Sequence, residues 1–503
     1  MPIPLFNSIA SWFLKKRIHQ IELFIKFPHE VQQEVLHGLL DEASQTHYGI
    51  QYDFKSIKDY TTFSKRIPLV RYEDIQNEIQ LSRKGVQNIF WPGSIKWFAK
   101  SSGTTGAQSK CIPVSSASLE NCHYKAGKDM LSLYFNNNSE SQLLTGKCLR
   151  LGGSSDLYHN NSSYFGDLSA IIIDNLPFWA ELSSTPSQKT ALMPEWEAKM
   201  KAILKESMEE KVTSLAGVPS WMLVLLQQAL SEAKKNHIHD LWPQAEVYFH
   251  GGVSFEPYRE QYQQLFPKPN FKYYEIYNAS EGFFAIQDQN DSSDLLLMLD
   301  YGIFYEFIPQ EEWGEKQPKT LALWEVTLDQ VYELVITTNG GLWRYRIGDT
   351  IRFTSLHPYR IRVSGRTKQF INVFGEELMV ENAERALATT AADTGVQILD
   401  YTVGPIFMNG HEKGGHEWLI EFASTPCDLD HFAQILDREL QNLNSDYQAK
   451  RYKDITLLSP KIQVAPKGLF YQWLESKKKL GGQHKVPRLS NSRKYLDELL
   501  AHC

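Results

Sequence analysis

The sequence predicts an α/β protein: a large N-terminal layered α/β domain, followed by a smaller α+β domain. Three observations lead there. From about residue 98 to 350, short β-branched or aromatic runs alternate with longer helical stretches. Two runs, 325–338 and 350–362, read instead as neighbouring antiparallel strands. The composition then shifts around Leu356-His-Pro-Tyr-Arg, read as a linker, and a second set of strands and helices begins. The expected domains are 1–360 and 365–503. A length of 503 residues agrees, since domains of roughly 150 residues give about three units that may be fused in part.

The first hundred residues read as helical. Val31, Val35, Leu36, Leu39, Leu40 and Ala43 recur at helical spacing behind Pro28, which suits a helix start. Pro68, in Ile67-Pro-Leu-Val, marks a turn or extended entry. Ala170-Ile-Ile-Ile-Asp, Ala245-Glu-Val-Tyr-Phe and Phe271-Lys-Tyr-Tyr-Glu-Ile-Tyr read as strands, and 194–210 and 220–235 as helices. Strands interleaved with helices imply a sheet that is at least partly parallel. In the smaller domain, 370–373, 401–403 and 417–422 read as strands, and 381–391 and 430–442 as helices.

Composition excludes several classes. With 42% hydrophobic and 22% charged residues the chain is not disordered, collagenous or a simple coiled coil. Its 52 Lys+Arg against 59 Asp+Glu leave a net charge of −7, which argues against a nucleic-acid partner. The five cysteines form no CxxC pair, against a disulfide framework or zinc site and for a reducing compartment. Lys15, Lys16 and Arg17 follow the apolar N-terminal stretch, the reverse of a secretory signal. No run of 18 apolar residues occurs, so no membrane span is expected. The expectation is a soluble, cytoplasmic monomer.

Five segments have the makings of chemistry. Lys100-Ser-Ser-Gly-Thr-Thr-Gly-Ala-Gln-Ser-Lys110 offers backbone and hydroxyl donors with a cation, as a phosphate cradle does, although its spacing is not that of a Walker A loop. The competing reading is a polar turn between strands. Tyr274-Glu-Ile-Tyr-Asn-Ala-Ser-Glu281 ends a strand in small residues and one carboxylate, enough for Mg²⁺ beside phosphates or, equally, an acid at a helix N-terminus. Tyr345-Arg-Ile-Gly-Asp349 places an acid where ribose hydroxyls are bound in nucleotide folds; a clasp with Arg344, Arg346 or Arg352 is the alternative. Arg366 is a phosphate or ribose contact or a solvated charge. Gly481-Gly-Gln-His-Lys485 is a loop able to deliver a cation, or a flexible tail. His250, without a Ser or Asp partner in the sequence, reads as structural.

Taken in order, these segments resemble the Gretchen Hagen family of acyl acid amido synthetases, within the adenylate-forming superfamily. The likeness runs from Ile67-Pro-Leu-Val-Arg-Tyr-Glu-Asp through 101–110, Leu215-Ala-Gly-Val-Pro-Ser-Trp, 251–258, 277–281 and 345–349 to 481–488. Asp167-Leu-Ser-Ala-Ile and Asn175-Leu-Pro-Phe-Trp-Ala-Glu-Leu are closer to its bacterial members.

The resemblance implies a large N-terminal domain with a β-barrel-like part and a small mobile α+β C-terminal domain over the cleft. It also implies ATP and Mg²⁺ as cofactors, a carboxylic acid and an amino acid or other amine as substrates, and an acyl-adenylate between two half-reactions. Ser101, Ser102, Thr104 and Thr105 match the phosphate loop. Glu281 matches the Mg²⁺ acid, and Tyr277, Asn278, Ala279 and Ser280 line the adenine and α-phosphate. Asp349 matches the ribose acid, Arg366 the basic position after the hinge, and Lys485 the catalytic lysine of the C-terminal lid. Val218, Trp221, Met222 and Val253 are acyl-pocket candidates by their place beside matched motifs. An acyl-CoA or acyl-carrier ligase shares the first half-reaction, and a non-catalytic nucleotide-binding protein shares the binding residues.

Overall fold

The computed structural model describes residues 16–101, 110–152, 158–159, 163–176, 178–193, 196–252, 255, 258–313, 315–366, 370–408, 413–423, 426, 428–452, 457–476 and 486–502. Its strands are β1 (Trp97–Ser101), β2 (Lys110–Val114), β3 (Lys147–Leu151), β4 (Tyr158–His159), β5 (Tyr164–Asp167), β6 (Ser184–Thr185), β7 (Val212–Gly217), β8 (Val247–His250), β9 (Lys272–Ala279), β10 (Gly282–Gln287) and β11 (Leu295–Leu297). They continue with β12 (Ile303–Pro309), β13 (Leu321–Ala322), β14 (Val331–Thr338), β15 (Tyr345–Leu356), β16 (Tyr359–Arg366), β17 (Phe370–Ile371), β18 (Leu378–Met379), β19 (Ile398–Ile406), β20 (Gly415–Phe422) and β21 (Lys461–Val464).

Twelve strands form one sheet in the order β13-β12-β14-β15-β16-β11-β10-β9-β8-β7-β3-β6. From β9 to β6 every pairing is parallel, and from β13 to β9 every pairing is antiparallel. A second sheet, β2-β1-β5-β4, lies beside it. The antiparallel half curls. β9 and β15 stand four strands apart, roughly 19 Å in a flat sheet, yet the Tyr277 hydroxyl on β9 lies 2.7 Å from the Asp349 carboxylate on β15. That curl is the barrel-like part that the resemblance implies.

The helix Pro28–Ala43 starts at its proline and buries Leu36, Leu39, Leu40 and Ala43. Gln32 fastens it to the sheet, donating to the Leu299 and Ile303 carbonyls (2.9 and 3.0 Å) and accepting from the Tyr305 N–H at 2.9 Å. Segment 371–378 and the helices Val380–Thr394 and Leu429–Leu443 pack with β19 and β20. Their buried residues Phe374, Trp418 and Leu436 share one apolar cluster with Leu149 and Met222 of the parallel half. The smaller domain is thus docked on that half, and the Tyr258 hydroxyl donates to the Val373 carbonyl at 2.6 Å.

Two expectations are corrected. Ala170-Ile-Ile-Ile-Asp belongs to a helix, Leu168–Asp174, rather than a strand. A short apolar run carries no period that separates the two states, and here Ala170, Ile171 and Ile173 are buried on a helix closed by the Asn175 side chain on the Ile171 carbonyl. Leu356-His-Pro-Tyr-Arg is not a linker but the turn of the β15–β16 hairpin, with Leu356 paired to Tyr359. Proline and polar residues suit either role, and the long pairing of β15 with β16 decides it.

A buried cation centres the antiparallel half. Arg344 has a positive φ of 45° and 4% exposure. Its Nε and Nη2 fork onto Glu306, Nη2 also reaches the Thr320 hydroxyl at 2.7 Å, and Nη1 donates to the Ser64 and Ile67 carbonyls at 2.6 and 2.7 Å. Arg344→Met leaves the Glu306 charge buried without its guanidinium, at a cost of about 3–5 kcal/mol. Thermal unfolding is therefore expected to fall further for Arg344→Met than for Arg344→Met/Glu306→Leu; equal losses would show that the pair's charge is irrelevant.

Candidate functional site

In open sheets with parallel strands, ligands bind beyond the carboxyl ends of those strands. Here that edge gathers Gly152 after β3, Val218 after β7, Gly251 and Gly252 after β8, and Ser280 and Glu281 after β9. Gly251 has no room for a side chain: a Cβ would lie 2.5 Å from the Ile276 carbonyl oxygen and 3.4 Å from the Asn278 Oδ1. The β8 loop is thereby drawn against β9.

Glu281 shares with Ser280 the two-residue turn of the β9–β10 hairpin, closed by the Ala279–Gly282 pair. It is not at a helix N-terminus. Asn278, Ala279, Ser280 and Glu281 are all half-buried at this edge. Tyr277, one turn of the pleat away, is 7% exposed and donates to Asp349, itself 5% exposed, at 2.7 Å. Gly348, with φ of 88°, sets the bend that carries Asp349, a conformation that favours glycine. Arg366 ends β16 directly across from Asp349 in the ladder. Of the arginines that might have clasped Asp349, Arg344 is held by Glu306 and Arg346 by Glu333, the latter at 2.6 Å.

Ser101 and Lys110 face each other at the end of the β1–β2 pair, so the expected phosphate segment joins two antiparallel strands. Ser102, Thr104, Thr105, Val253 and Lys485 lie outside the described residues. Val218 and Trp221 are partly accessible, whereas Met222 is fully buried beneath Gly217. His250 is buried: its ring stacks on Phe255 at 4.0 Å between centroids, and burial pushes its pKa down to about 3.

Among the described residues no three His, Cys, Asp or Glu side chains group as a metal site. One carboxylate at Glu281 nonetheless fits Mg²⁺, which commonly takes one or two protein carboxylates and completes its shell with phosphate oxygens and water.

A charged cluster at the domain junction has no signature in the sequence. The Lys450 ammonium, on the helix Ser445–Arg451, lies 3.6 Å from the centroid of the Trp221 ring, a cation–π contact between the two domains. Its stem passes Gly375, where a Cβ would sit 3.1 Å from Lys450 Cε. Burial lowers the Lys450 pKa, and Asp446, Asp167, Glu376 and Glu377 oppose that shift. The Asp446 carboxyl is pushed up to about 7 by burial and then by Glu377, with Lys450 working against the shift. Lys199, 1% exposed, donates to the Gly152 carbonyl at 3.3 Å; burial brings its pKa down to about 8, opposed by Asp167. Ordinary lysines on helices of ordinary composition gave no reason to single either out.

A parallel sheet with its edge open to ligand, a curled antiparallel half and a small docked domain make up the architecture of adenylate-forming enzymes. Within that class the chain belongs to the GH3 family. The GH3 family N-terminal, central and C-terminal domains match residues 17–271, 296–366 and 381–494. An indole-3-acetic acid-amido synthetase GH3.4 of Arabidopsis thaliana is 24% identical over 94% of this chain and 91% of its own length. Among solved structures, the AtGH3.15 acyl acid amido synthetase in complex with 2,4-DB superposes with a TM-score of 0.61 at 19% identity, covering 94% of this chain and 93% of that one. A 2-hydroxyisobutyryl-CoA ligase, in complex with 2-HIB-AMP and CoA, does so with a TM-score of 0.59 at 13% identity, covering 95% and 93%. At these identities the two structures establish the fold.

The raised pKa of Asp446 has a definite sign. A carboxyl held near 7 in the folded chain, against an ordinary value of 3.8, makes a contribution that is fully favourable only below the ordinary value. The contribution is lost as pH rises to 7. Asp446→Asn is expected to raise the apparent Tm relative to the parent, by an amount that grows from pH 5 to pH 8. A Tm difference independent of pH would show that Asp446 does not titrate in this window.

Proposed function

We propose that the chain is a cytoplasmic, monomeric, ATP-dependent acyl acid amido synthetase. It adenylates a carboxylic acid, releasing pyrophosphate, and transfers the acyl group to an amino acid or other amine. The observation that carries this reading is the meeting of the Glu281 hairpin with the Tyr277–Asp349 pair at one sheet edge, in a chain of the GH3 family. The relatives' names supply the amide-forming step.

In this reading Asp349 accepts hydrogen bonds from the ribose hydroxyls, and Tyr277 orients it from below through its 2.7 Å bond. Asn278, Ala279 and Ser280 pass beside the base and the α-phosphate. The segment holding Ser101, Ser102, Thr104 and Thr105 offers donors to the phosphates, and Arg366 adds a cation opposite Asp349. Glu281 holds Mg²⁺, which when bound offsets the phosphate charge. Lys485 aims its ammonium at the phosphate oxygens where charge develops, the kind of fixed donor whose loss commonly costs about 10²–10³ in rate. Val218, Trp221 and Val253 border the acyl group, and Met222, buried beneath Gly217, supports that wall. No covalent nucleophile is required, because the acid itself attacks the α-phosphate and the amine then attacks the acyl carbon.

The test is Mg²⁺-dependent pyrophosphate release from ATP across a panel of carboxylic acids, with and without pooled amino acids. Amide formation that requires ATP, acid and amino acid together is expected. Thioester formation with coenzyme A in its place would move the chain to the acyl-CoA ligases. In the same assay Asp349→Ala is expected to weaken ATP binding by about tenfold or more, as loss of a charged hydrogen-bond partner does; unchanged affinity would remove its ribose role.

A further inference from the structure

The chain answers its buried guanidinium groups with care. Arg344 meets five acceptors with its five N–H directions, and Arg346 forks onto Glu333 while reaching the Glu315 carbonyl. Arg150 is treated differently. Its Nε and Nη2 are shielded from solvent and make no hydrogen bond among the described residues. Burial works against its charge, which Cys148 and then Glu181 favour electrostatically. Arg150 is half-buried, and two shielded N–H groups without an acceptor are costly, so this edge of the guanidinium calls for a partner when the protein works.

Its place in the fold says what kind of partner. Arg150 lies on β3, one residue before the carboxyl end of the strand, at the edge where parallel sheets bind ligands. Leu149 and Leu151, on either side, enter the apolar cluster with Met222, so Arg150 points to the opposite face. There its ladder neighbour on β7 is Ala216, which offers only a methyl group. On the other flank β6 pairs with β3 only through Cys148 and Leu149, so the sheet ends before Arg150. The two unanswered nitrogens form one edge of the guanidinium, the edge that grips a carboxylate through two parallel bonds.

We propose that Arg150 is a substrate-binding residue that grips a carboxylate through its Nε/Nη2 edge. Resting on the amido synthetase reading, the carboxylate is one that persists through the reaction. The reacting carboxylate becomes a phosphoric anhydride and then an amide, and so loses the charge a guanidinium recognises. Two sources share the surviving group: the α-carboxylate of an amino-acid acceptor, and the second carboxylate of a dicarboxylic acyl acid.

Arg150→Lys keeps the charge and removes the fork, and Arg150→Met removes both; each is made in the full chain. With the acid that works in the parent, Arg150→Lys is expected to raise KM for the amino acid about tenfold or more. The matching amino acid amide should show no such change. A selective rise in KM for dicarboxylic over monocarboxylic acids assigns the site to the acyl acid instead. A folded Arg150→Lys chain that keeps both KM values and the parent's preference for amino acid over amide overturns the proposal. Thermal stabilisation reads the site without turnover, using succinate against succinamide and pooled amino acids against their amides. Loss of carboxylate-dependent stabilisation in Arg150→Lys, in a chain that makes no amide, would leave the site standing and the ligase reading refuted. Equal stabilisation of parent and variant by carboxylates would overturn the site whatever the activity.

Discussion

The Arg344 guanidinium ties together parts of the chain that are far apart in sequence. Its acceptors come from the helix Tyr60–Arg66 and the residue that follows it, from β12, and from the approach to β13. Its own backbone is fixed as firmly: the Val70 N–H donates to its carbonyl, and the Val70 carbonyl accepts from Arg346. The next residues are Tyr345 to Asp349, so the position of the acid at the candidate site is inherited from this pair. A buried ion pair adds little net stability over apolar packing, but once present it permits one arrangement of its partners. Here that arrangement sets where β15 begins and which face carries Asp349.

The curl of the sheet completes the placement. Strands four apart meet through Tyr277 and Asp349 only because the antiparallel half bends. The ladder shifts register between Phe283 and Ala285 of β10, between Glu333 and Val335 of β14, and twice between β15 and β16. Irregularities of this kind locally increase twist and bend a strand. The parallel half, by contrast, supplies loops at one edge. The candidate site is therefore a joint product: the parallel strands deliver short loops, and the curled strands bring an acid to face them.

Legibility followed the length scale of each signal. The helix Pro28–Ala43 and β9 were readable because a period repeats along them and a proline or a glycine marks an end. Ala170 to Asp174 was not, because five residues of small and β-branched type carry no period, and burial against neighbouring elements chose helix. The candidate site was legible as motifs through Glu281 and Asp349, since small residues beside one carboxylate are unusual enough to notice. That Tyr277 touches Asp349 was not, for the contact depends on the curl of strands 72 residues apart in sequence. Lys450 and Lys199 were invisible for a different reason: a lysine on a helix is ordinary until something buries it.

The distribution of charge separates holding from working. Arg344 and Arg346 are fully answered, and the strands around them are correspondingly fixed. At the domain junction Lys450 is placed against an aromatic face and near four acids, Asp446, Asp167, Glu376 and Glu377, of which Asp446 has its pKa raised by burial. Asp167 also acts on Lys199, so one carboxylate of the larger domain serves a lysine on each side of the junction. Such an arrangement loses less on separation than a fully bonded pair, because Asp167 keeps one cation and Lys450 keeps Asp446. Firm pairs thus lie within each body, Arg344–Glu306 in the larger and Arg451–Asp437 in the smaller, and the adjustable ones lie where the two meet. That is the arrangement an enzyme with two successive half-reactions requires if its smaller domain is to leave one position and take another.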